Sequence, residues 1–140
     1  RTVLLDLADQ DAAAFGSVMA AFKMPKETDA ERAVRSQAIQ EGYSAAAEVP
    51  LDIARRAAEL MELAREVTEI GNAAAASDGA CAAQALSAAV WCATYNVEIN
   101  AAALKDPAKA QALRDEVSAL RAHAEALLDA TNVAFGARLG

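Results

Sequence analysis

Residues 4–22 read LLDLADQDAAAFGSVMAAF, and this stretch decides the fold class of the chain. Its apolar residues recur at steps of three and four, the spacing of one face of an α-helix. The predicted face contains Leu4, Leu7, Asp11, Phe15, Val18 and Phe22. Asp11 is the one charged residue among them, so its carboxylate is predicted to point toward the core. Because an unpaired buried carboxylate is costly, Asp11 either pairs with a lysine or arginine or belongs to a functional pocket.

The rest of the sequence divides into further helical segments, and no segment alternates in the manner of a β-strand. We therefore predict an all-α domain of about five helices spanning residues 1–140 as a single unit. The predicted boundaries are Pro25 after the first helix, Thr28 and Glu31 as a capping box for the second, Pro50 in the first turn of the third, Gly71 and Asn72 at its end, Ser77 as N-cap of the fourth, and Asp106 with Pro107 at the start of the fifth.

The segment from Ala80 to Ala93 is rich in alanine on more than one side, which lets neighbouring helices approach closely. It is predicted to be the central helix of a compact bundle or a seam between two copies of the chain. Its inward positions are predicted to be Cys81, Ala85, Ala88, Cys92 and Ile99. The two cysteines are accordingly expected to be small buried apolar residues in a reducing compartment.

Charge and composition exclude several classes of function. A net charge of −7 leaves no basic stripe for nucleic acid and disfavours an anionic membrane surface. No apolar run is long enough to span a bilayer, so we expect a cytoplasmic protein. No metal site is expected, because His123 is the only histidine and neither cysteine belongs to a Cys-x-x-Cys pair.

Four short motifs occur in a fixed order along the chain: DQDAAAF at 9–15, KMPK at 23–26, GN at 71–72 with SD at 77–78, and NVEIN at 96–100. Joined by RSQAIQ at 35–40 and VPL at 49–51, they resemble the cyclodeaminase/cyclohydrolase family. This family includes the cyclodeaminase half of formiminotransferase-cyclodeaminase and the methenyltetrahydrofolate cyclohydrolases of some bacteria.

The resemblance implies a helical domain that dimerises, or forms a larger homo-oligomer, and acts on one-carbon forms of tetrahydrofolate. Cyclodeaminases close 5-formiminotetrahydrofolate into 5,10-methenyltetrahydrofolate and expel ammonia, and this activity is our first expectation. Cyclohydrolases instead hydrate the methenyl compound to the 10-formyl form, which is the alternative. The resemblance implies no cofactor beyond the tetrahydrofolate substrate and allows a formiminotransferase partner.

The resemblance also assigns roles to particular residues. The catalytic acid of the family matches Asp11, which would act as general acid and base. The predicted substrate-binding residues are Lys23, Lys26, Ser77, Asp78, Asn96 and Asn100. The competing interpretations are solvated loop lysines, helix capping by Ser77 and Asp78, and interhelical hydrogen bonding by the two asparagines.

The sequence departs from the family pattern in two places. Family members carry a preceding helix and a Pro-Gly-Gly-Gly-Ser segment upstream of the Asp11 region, and neither is present here. Since the chain begins with Arg1 rather than Met, we expect that upstream sequence was removed or lies beyond it. Gly79-Ala80-Cys81 also replaces the family's usual Ala-Gly-Val. A noncatalytic helical module that binds folate or another protein is therefore the alternative from a different class.

Overall fold

A computed structural model describes residues 2–139, except for the side chains of residues 2–5 and 8. The described residues form four α-helices and one short 3-10 turn. The elements are α1 (Thr2–Phe22), α2 (Asp29–Ile70), the 3-10 turn (Ala73–Ala75), α3 (Ala76–Ala102) and α4 (Pro107–Leu139). The described residues contain no strand, so the prediction of an all-α fold is confirmed for this part of the chain.

The predicted count of about five helices is wrong, because Pro50 lies inside α2 rather than at the start of a new helix. A proline in a helix removes the N–H that would bond the carbonyl four residues earlier. Here that carbonyl belongs to Ala46, and the side-chain amide of Asn100 on α3 donates to it at 2.9 Å. A partner from another helix thus compensates for the missing bond, and the two predicted helices run on as one.

The central element is α2, which packs against α1, α3 and α4. The 42-residue length of α2 lets it reach all three neighbours. Its buried face consists of small or flexible apolar side chains, which bring the helices close together: Ala47, Leu51, Ala54, Ala57, Ala58, Met61 and Ala64. The prediction that the alanine-rich helix, now α3, is the central one is therefore wrong.

The inward face predicted for α3 is also wrong. The buried side of α3 carries Ala83, Val90, Val97 and Ala101. The positions predicted to be buried face solvent instead: Cys81, Ala85, Ala88, Cys92 and Ile99. When a helix is apolar on two sides, the hydrophobic periodicity does not show which side is buried. In α3, the side with Ala83, Val90, Val97 and Ala101 is the buried one.

Gly79 explains how closely α3 approaches α2. A Cβ atom at this position would lie 2.4 Å from the Thr68 hydroxyl oxygen and 3.0 Å from the Ala64 carbonyl oxygen. The 2.4 Å distance is too short for a Cβ atom at residue 79, and the 3.0 Å distance is tight, so the close crossing of the two helices favours glycine here. The departure from the family pattern at this position therefore has a packing role.

Local capping signals specify most of the helix ends. The Thr28 hydroxyl oxygen accepts from the Glu31 N–H at 3.2 Å, and Glu31 Oε2 accepts from the Thr28 N–H at 2.9 Å. This confirms the predicted capping box, and the backbone bond from Thr28 lowers the pKa of the Glu31 carboxyl. Asp106 Oδ1 likewise accepts from the N–H groups of Ala108 and Lys109, which confirms the predicted start of the last helix.

The connection between α2 and α3 follows the prediction only in part. Helix α2 ends at Ile70, as the Gly71-Asn72 pair predicted, but Gly71 has a φ of −68° and does not adopt the left-handed conformation. Ser77 is not an N-cap, because α3 begins at Ala76 without a side-chain cap. The Asn72 side chain instead accepts from the Ala74 N–H in the preceding 3-10 turn.

Arg121 links α3 to α4. Its guanidinium donates to both carboxylate oxygens of Glu98 at 2.9 Å and to the Thr94 hydroxyl at 2.9 Å. The same group lies over the rings of Trp91 and Tyr95, at 4.5 and 5.0 Å from their centroids. One side chain of α4 therefore holds four residues of α3 in a fixed arrangement.

None of the helices described here contains an apolar stretch long enough for a membrane crossing.

Candidate active site

A groove of about 360 Å³ lies where α1, α2 and α3 meet. Ten residues line it: Asp11, Phe15, Val18, Met19, Phe22, Tyr43, Ala46, Asn96, Ile99 and Asn100. The wall is mostly apolar, and Asp11 supplies its only carboxylate. A largely apolar cleft with a few convergent polar groups is typical of a small-molecule binding site.

Asp11 is exposed, so the prediction that its carboxylate points into the core is wrong. On the predicted α1 face, Leu7 and Val18 are buried at 6% and 5% exposure, whereas Phe15 is 65% exposed. At about 100° per residue, Asp11, Phe15 and Phe22 are turned roughly 40° to 80° from Leu7. They therefore form one flank of the buried seam and line the open groove; the Leu4 side chain lies outside the described residues.

Asn96 and Asn100 lie across the groove from α1, one helical turn apart on α3. The Asn96 side-chain amide donates to the Cys92 carbonyl oxygen at 3.1 Å. The Asn100 amide donates to the carbonyl oxygens of Ala46 at 2.9 Å and of Asn96 at 3.0 Å. Both asparagines use their NH₂ groups on the backbone, which confirms that interhelical bonding accounts for part of the role of Asn100.

Lys23 and Lys26 are exposed in the loop that follows α1. Neither lines the groove, although Lys23 directly follows the groove residue Phe22. Arg35 holds this end of α1, since its guanidinium donates to the Phe22 carbonyl oxygen at 3.1 and 3.3 Å. The two lysines are thus exposed in this loop, and their contact with a substrate stays a prediction.

Ser77 and Asp78 are not brought together with Asp11. They lie exposed in the first turn of α3, whereas Asn96 lies 18 residues further along the same helix. At 1.5 Å per residue this places Asp78 about 27 Å from Asn96. Asp78 does occupy the first turn, as predicted for a carboxylate that complements the helix dipole. Substrate binding by this pair stays a prediction.

Several apolar groove residues were not assigned to the site from the sequence. Tyr43 lines the groove and contacts the Phe22 ring edge-on, with 6.2 Å between ring centroids. Met19 and Ile99 also face the groove. Helical spacing alone could not identify them, because the same apolar pattern serves for core and pocket.

The groove offers one proton-transfer group and two amides within mostly apolar walls. A flat heterocycle could pack against Phe15, Phe22 and Tyr43 while its N–H groups meet oxygen acceptors. Among the described residues no group of three His, Cys, Asp or Glu side chains comes together as a metal site would require.

Residues 1–119 match the family model described as formiminotransferase-cyclodeaminase. The chain is 39% identical over 127 residues to a methenyltetrahydrofolate cyclohydrolase of Methylorubrum extorquens, a match covering 91% of this chain and 61% of the relative. It is 38% identical over 117 residues to the formimidoyltransferase-cyclodeaminase of Rattus norvegicus, covering 84% of this chain and 22% of the relative.

The fold is similar to the crystal structure of formiminotetrahydrofolate cyclodeaminase from Thermotoga maritima. The two chains superpose with a TM-score of 0.84 at 27% sequence identity, over 100% of this chain and 66% of the other. This chain spans less than two thirds of the length of the two sequence relatives. It spans 66% of the Thermotoga maritima chain.

Proposed function

This chain belongs to the formiminotransferase-cyclodeaminase family, and we propose that it acts on one-carbon derivatives of tetrahydrofolate. The first candidate reaction is the cyclodeaminase one, in which 5-formiminotetrahydrofolate closes to 5,10-methenyltetrahydrofolate and releases ammonia. Asp11 is proposed as the general acid and base of this reaction.

The observation that supports this proposal is the meeting of two sequence motifs at one groove. Asp11 comes from α1, while Asn96 and Asn100 come from α3. These residues are about 85 positions apart in the chain, yet they line the same cleft of about 360 Å³. A carboxylate that faces two amides in an apolar cleft can combine proton transfer with recognition of a polar heterocycle.

The proposed chemistry requires a group that both gives and takes a proton. Ring closure forms a tetrahedral carbon between two folate nitrogens, and ammonia leaves only after its nitrogen has been protonated. Asp11 can deliver that proton and recover one in the same cycle. Phe15 lies one helical turn from Asp11 and would limit water at the reacting carbon, while the open side of the groove admits the substrate.

Cyclohydrolase activity is the second candidate. It is favoured by the 39% identity to the Methylorubrum extorquens cyclohydrolase, a match that extends over 91% of this chain. Hydration of the methenyl carbon proceeds through the same kind of tetrahedral centre, with water in place of the amine. The same carboxylate could then assist attack by water and departure of a ring nitrogen.

An assay with two substrates tests the proposal and separates the two candidates. Purified protein is mixed with 5-formiminotetrahydrofolate or with 5,10-methenyltetrahydrofolate, and the near-ultraviolet absorbance and free ammonia are followed. Methenyl formation together with ammonia release supports the cyclodeaminase, whereas accelerated loss of methenyl absorbance alone supports the cyclohydrolase. If both reactions proceed no faster than in buffer without the protein, the enzyme proposal is wrong. Ligand-dependent melting would then separate a folate-binding module from one that interacts only with proteins.

Self-association is proposed alongside this activity. The exposed face of α3 carries Cys81, Ala85, Ala88, Cys92 and Ile99, and Ile99 is 68% exposed. A row of exposed apolar side chains along one helix face is typical of a protein interface. We propose that a second copy of the chain covers it, while a formiminotransferase partner stays a prediction.

A further inference from the structure

The VPL motif at 49–51 has no role in the proposed chemistry, but it lies near the NVEIN motif at 96–100, whose asparagines line the groove. The side-chain amide of Asn100 donates a hydrogen bond to the carbonyl oxygen of Ala46, three residues before the VPL motif. Ala46 is buried at 8% exposure and lies four residues before Pro50. Pro50 has no N–H, so it leaves this carbonyl without its helical partner.

This bond determines which way the Asn100 amide faces. Its two N–H groups are both used, on the carbonyl oxygens of Ala46 and Asn96. The Asn96 carbonyl lies within the regular part of α3, four residues before Asn100, so its oxygen is the usual acceptor for the Asn100 backbone N–H. The Ala46 carbonyl has no such donor. A reversed amide would set Oδ1 against both carbonyls, so only the observed orientation satisfies them.

We propose that Pro50 is a positioning residue that fixes Asn100 with its Oδ1 atom as a hydrogen-bond acceptor for the substrate. Asn100 lines the same groove as Asp11, and its Oδ1 has no hydrogen-bond partner among the described residues. The inference rests on the proposed function, since the ligand is a tetrahydrofolate derivative. Oδ1 would accept hydrogen bonds from the ring N–H and amino groups of the pteridine of that ligand.

The same logic extends to Asn96. Its NH₂ group donates to the Cys92 carbonyl oxygen, which leaves its Oδ1 as a second acceptor on the same face of the groove. Together with the Asp11 carboxylate, the groove then presents oxygen acceptors on both sides. It therefore selects a ligand edge that donates hydrogen bonds over one that only accepts them.

The first test measures stability and needs no ligand. In Asn100→Ala the buried Ala46 carbonyl loses its partner, and the melting temperature should fall by about 5 °C. In Pro50→Ala the new N–H of residue 50 bonds that carbonyl within α2. Adding Asn100→Ala to Pro50→Ala should therefore lower the melting temperature by a much smaller amount. Asn132→Ala is the matched control, because Asn132 is exposed on α4 and its one side-chain hydrogen bond among the described residues, from Gln84, is long at 3.5 Å.

The second test measures KM and kcat in the wild type, in the two single variants at positions 50 and 100, and in the double variant. Asn100→Ala should raise KM for the tetrahydrofolate substrate about tenfold, the value of one hydrogen bond. Pro50→Ala should raise KM by a similar factor with little change in kcat, although it preserves or raises the melting temperature. The double variant should be no worse than Asn100→Ala alone, because both changes remove the same acceptor.

The outcomes separate the inference from the function on which it rests. If the changes in melting temperature caused by Pro50→Ala and Asn100→Ala simply add in the double variant, or if Pro50→Ala leaves KM unchanged in an active enzyme, the positioning role is wrong. If the wild type neither binds nor converts either folate, the proposed function fails and the assignment of the ligand fails with it. The stability cycle still decides in that case whether Pro50 orients Asn100.

Discussion

The position of one side chain, Asp11, determines where proton transfer can occur in this groove. Asp11 is a lone carboxylate among Phe15, Met19, Phe22 and Ile99, and it lies at the open flank of α1 rather than beneath it. A group in this position can exchange protons with a bound substrate and with water. Its exposure therefore fits a proton-transfer role better than the buried placement that the helical pattern predicted.

A second carboxylate, Glu31, makes a testable contribution to stability. The backbone bond from Thr28 lowers the pKa of Glu31 below its ordinary value of 4.5. A carboxyl whose pKa is lowered on folding stabilises the protein above its unfolded pKa and loses that effect as the pH falls through its folded pKa. Glu31→Gln keeps the hydrogen-bonding pattern of a capping box but removes the titration.

The prediction is that wild type melts at a higher temperature than Glu31→Gln at neutral pH, and that this difference disappears well below pH 4.5. Melting curves of both proteins across this pH range measure it. Glu27→Gln, at an exposed loop position, serves as the control for a general charge effect. A difference between wild type and Glu31→Gln that stays constant with pH would contradict the account.

At the scale of whole helices, α3 carries one wall of the groove and is bound to α4 on another side. Glu98 lies between Asn96 and Asn100 but faces α4, where Arg121 binds both of its carboxylate oxygens. The Arg121 side chain is only 16% exposed and also lies over Trp91. A planar guanidinium can make these contacts together, whereas a lysine ammonium cannot.

Arg121→Lys should therefore lower the free energy of unfolding by about 2 kcal/mol, because bidentate and stacking contacts are both lost. Urea denaturation with a fixed m-value measures the change. Arg114→Lys, at an exposed position of the same helix, should change the value by less than about 0.5 kcal/mol. Unchanged stability in Arg121→Lys would show that the link is not needed to hold α3 against α4.

At the scale of the whole molecule, the sequence predicted what is local and failed where tertiary contacts decide. The capping box at Thr28 and the helix start at Asp106 depend on neighbouring residues, and both were predicted. Pro50 was misread as a helix start because its compensating donor, Asn100, lies 50 residues away on another helix. The family motifs assigned Asp11, Asn96 and Asn100 to one site, and these residues line one groove, whereas Ser77 and Asp78 lie at the other end of α3.

The exposed face of α3 leads to a prediction about assembly. If a second copy covers this face, Ala88→Glu should shift the protein from dimer to monomer in sedimentation velocity, because it places a charge within the apolar contact. Ala126→Glu, at an exposed position of α4, should leave the assembly unchanged. A wild type that sediments as a monomer, or an Ala88→Glu protein that remains dimeric, would contradict the proposed interface.

Asp11 is proposed to perform the proton transfers in this groove, and kcat for Asp11→Asn measures this role. Asp9→Asn, which changes an exposed residue of the same helix outside the groove lining, is the matched control. Both variants are compared with wild type on 5-formiminotetrahydrofolate and on 5,10-methenyltetrahydrofolate. We expect Asp11→Asn to lose about a hundredfold or more in kcat on the substrate that the wild type converts, with its melting temperature retained and Asp9→Asn unaffected. A folded Asp11→Asn protein with wild-type kcat would contradict the account.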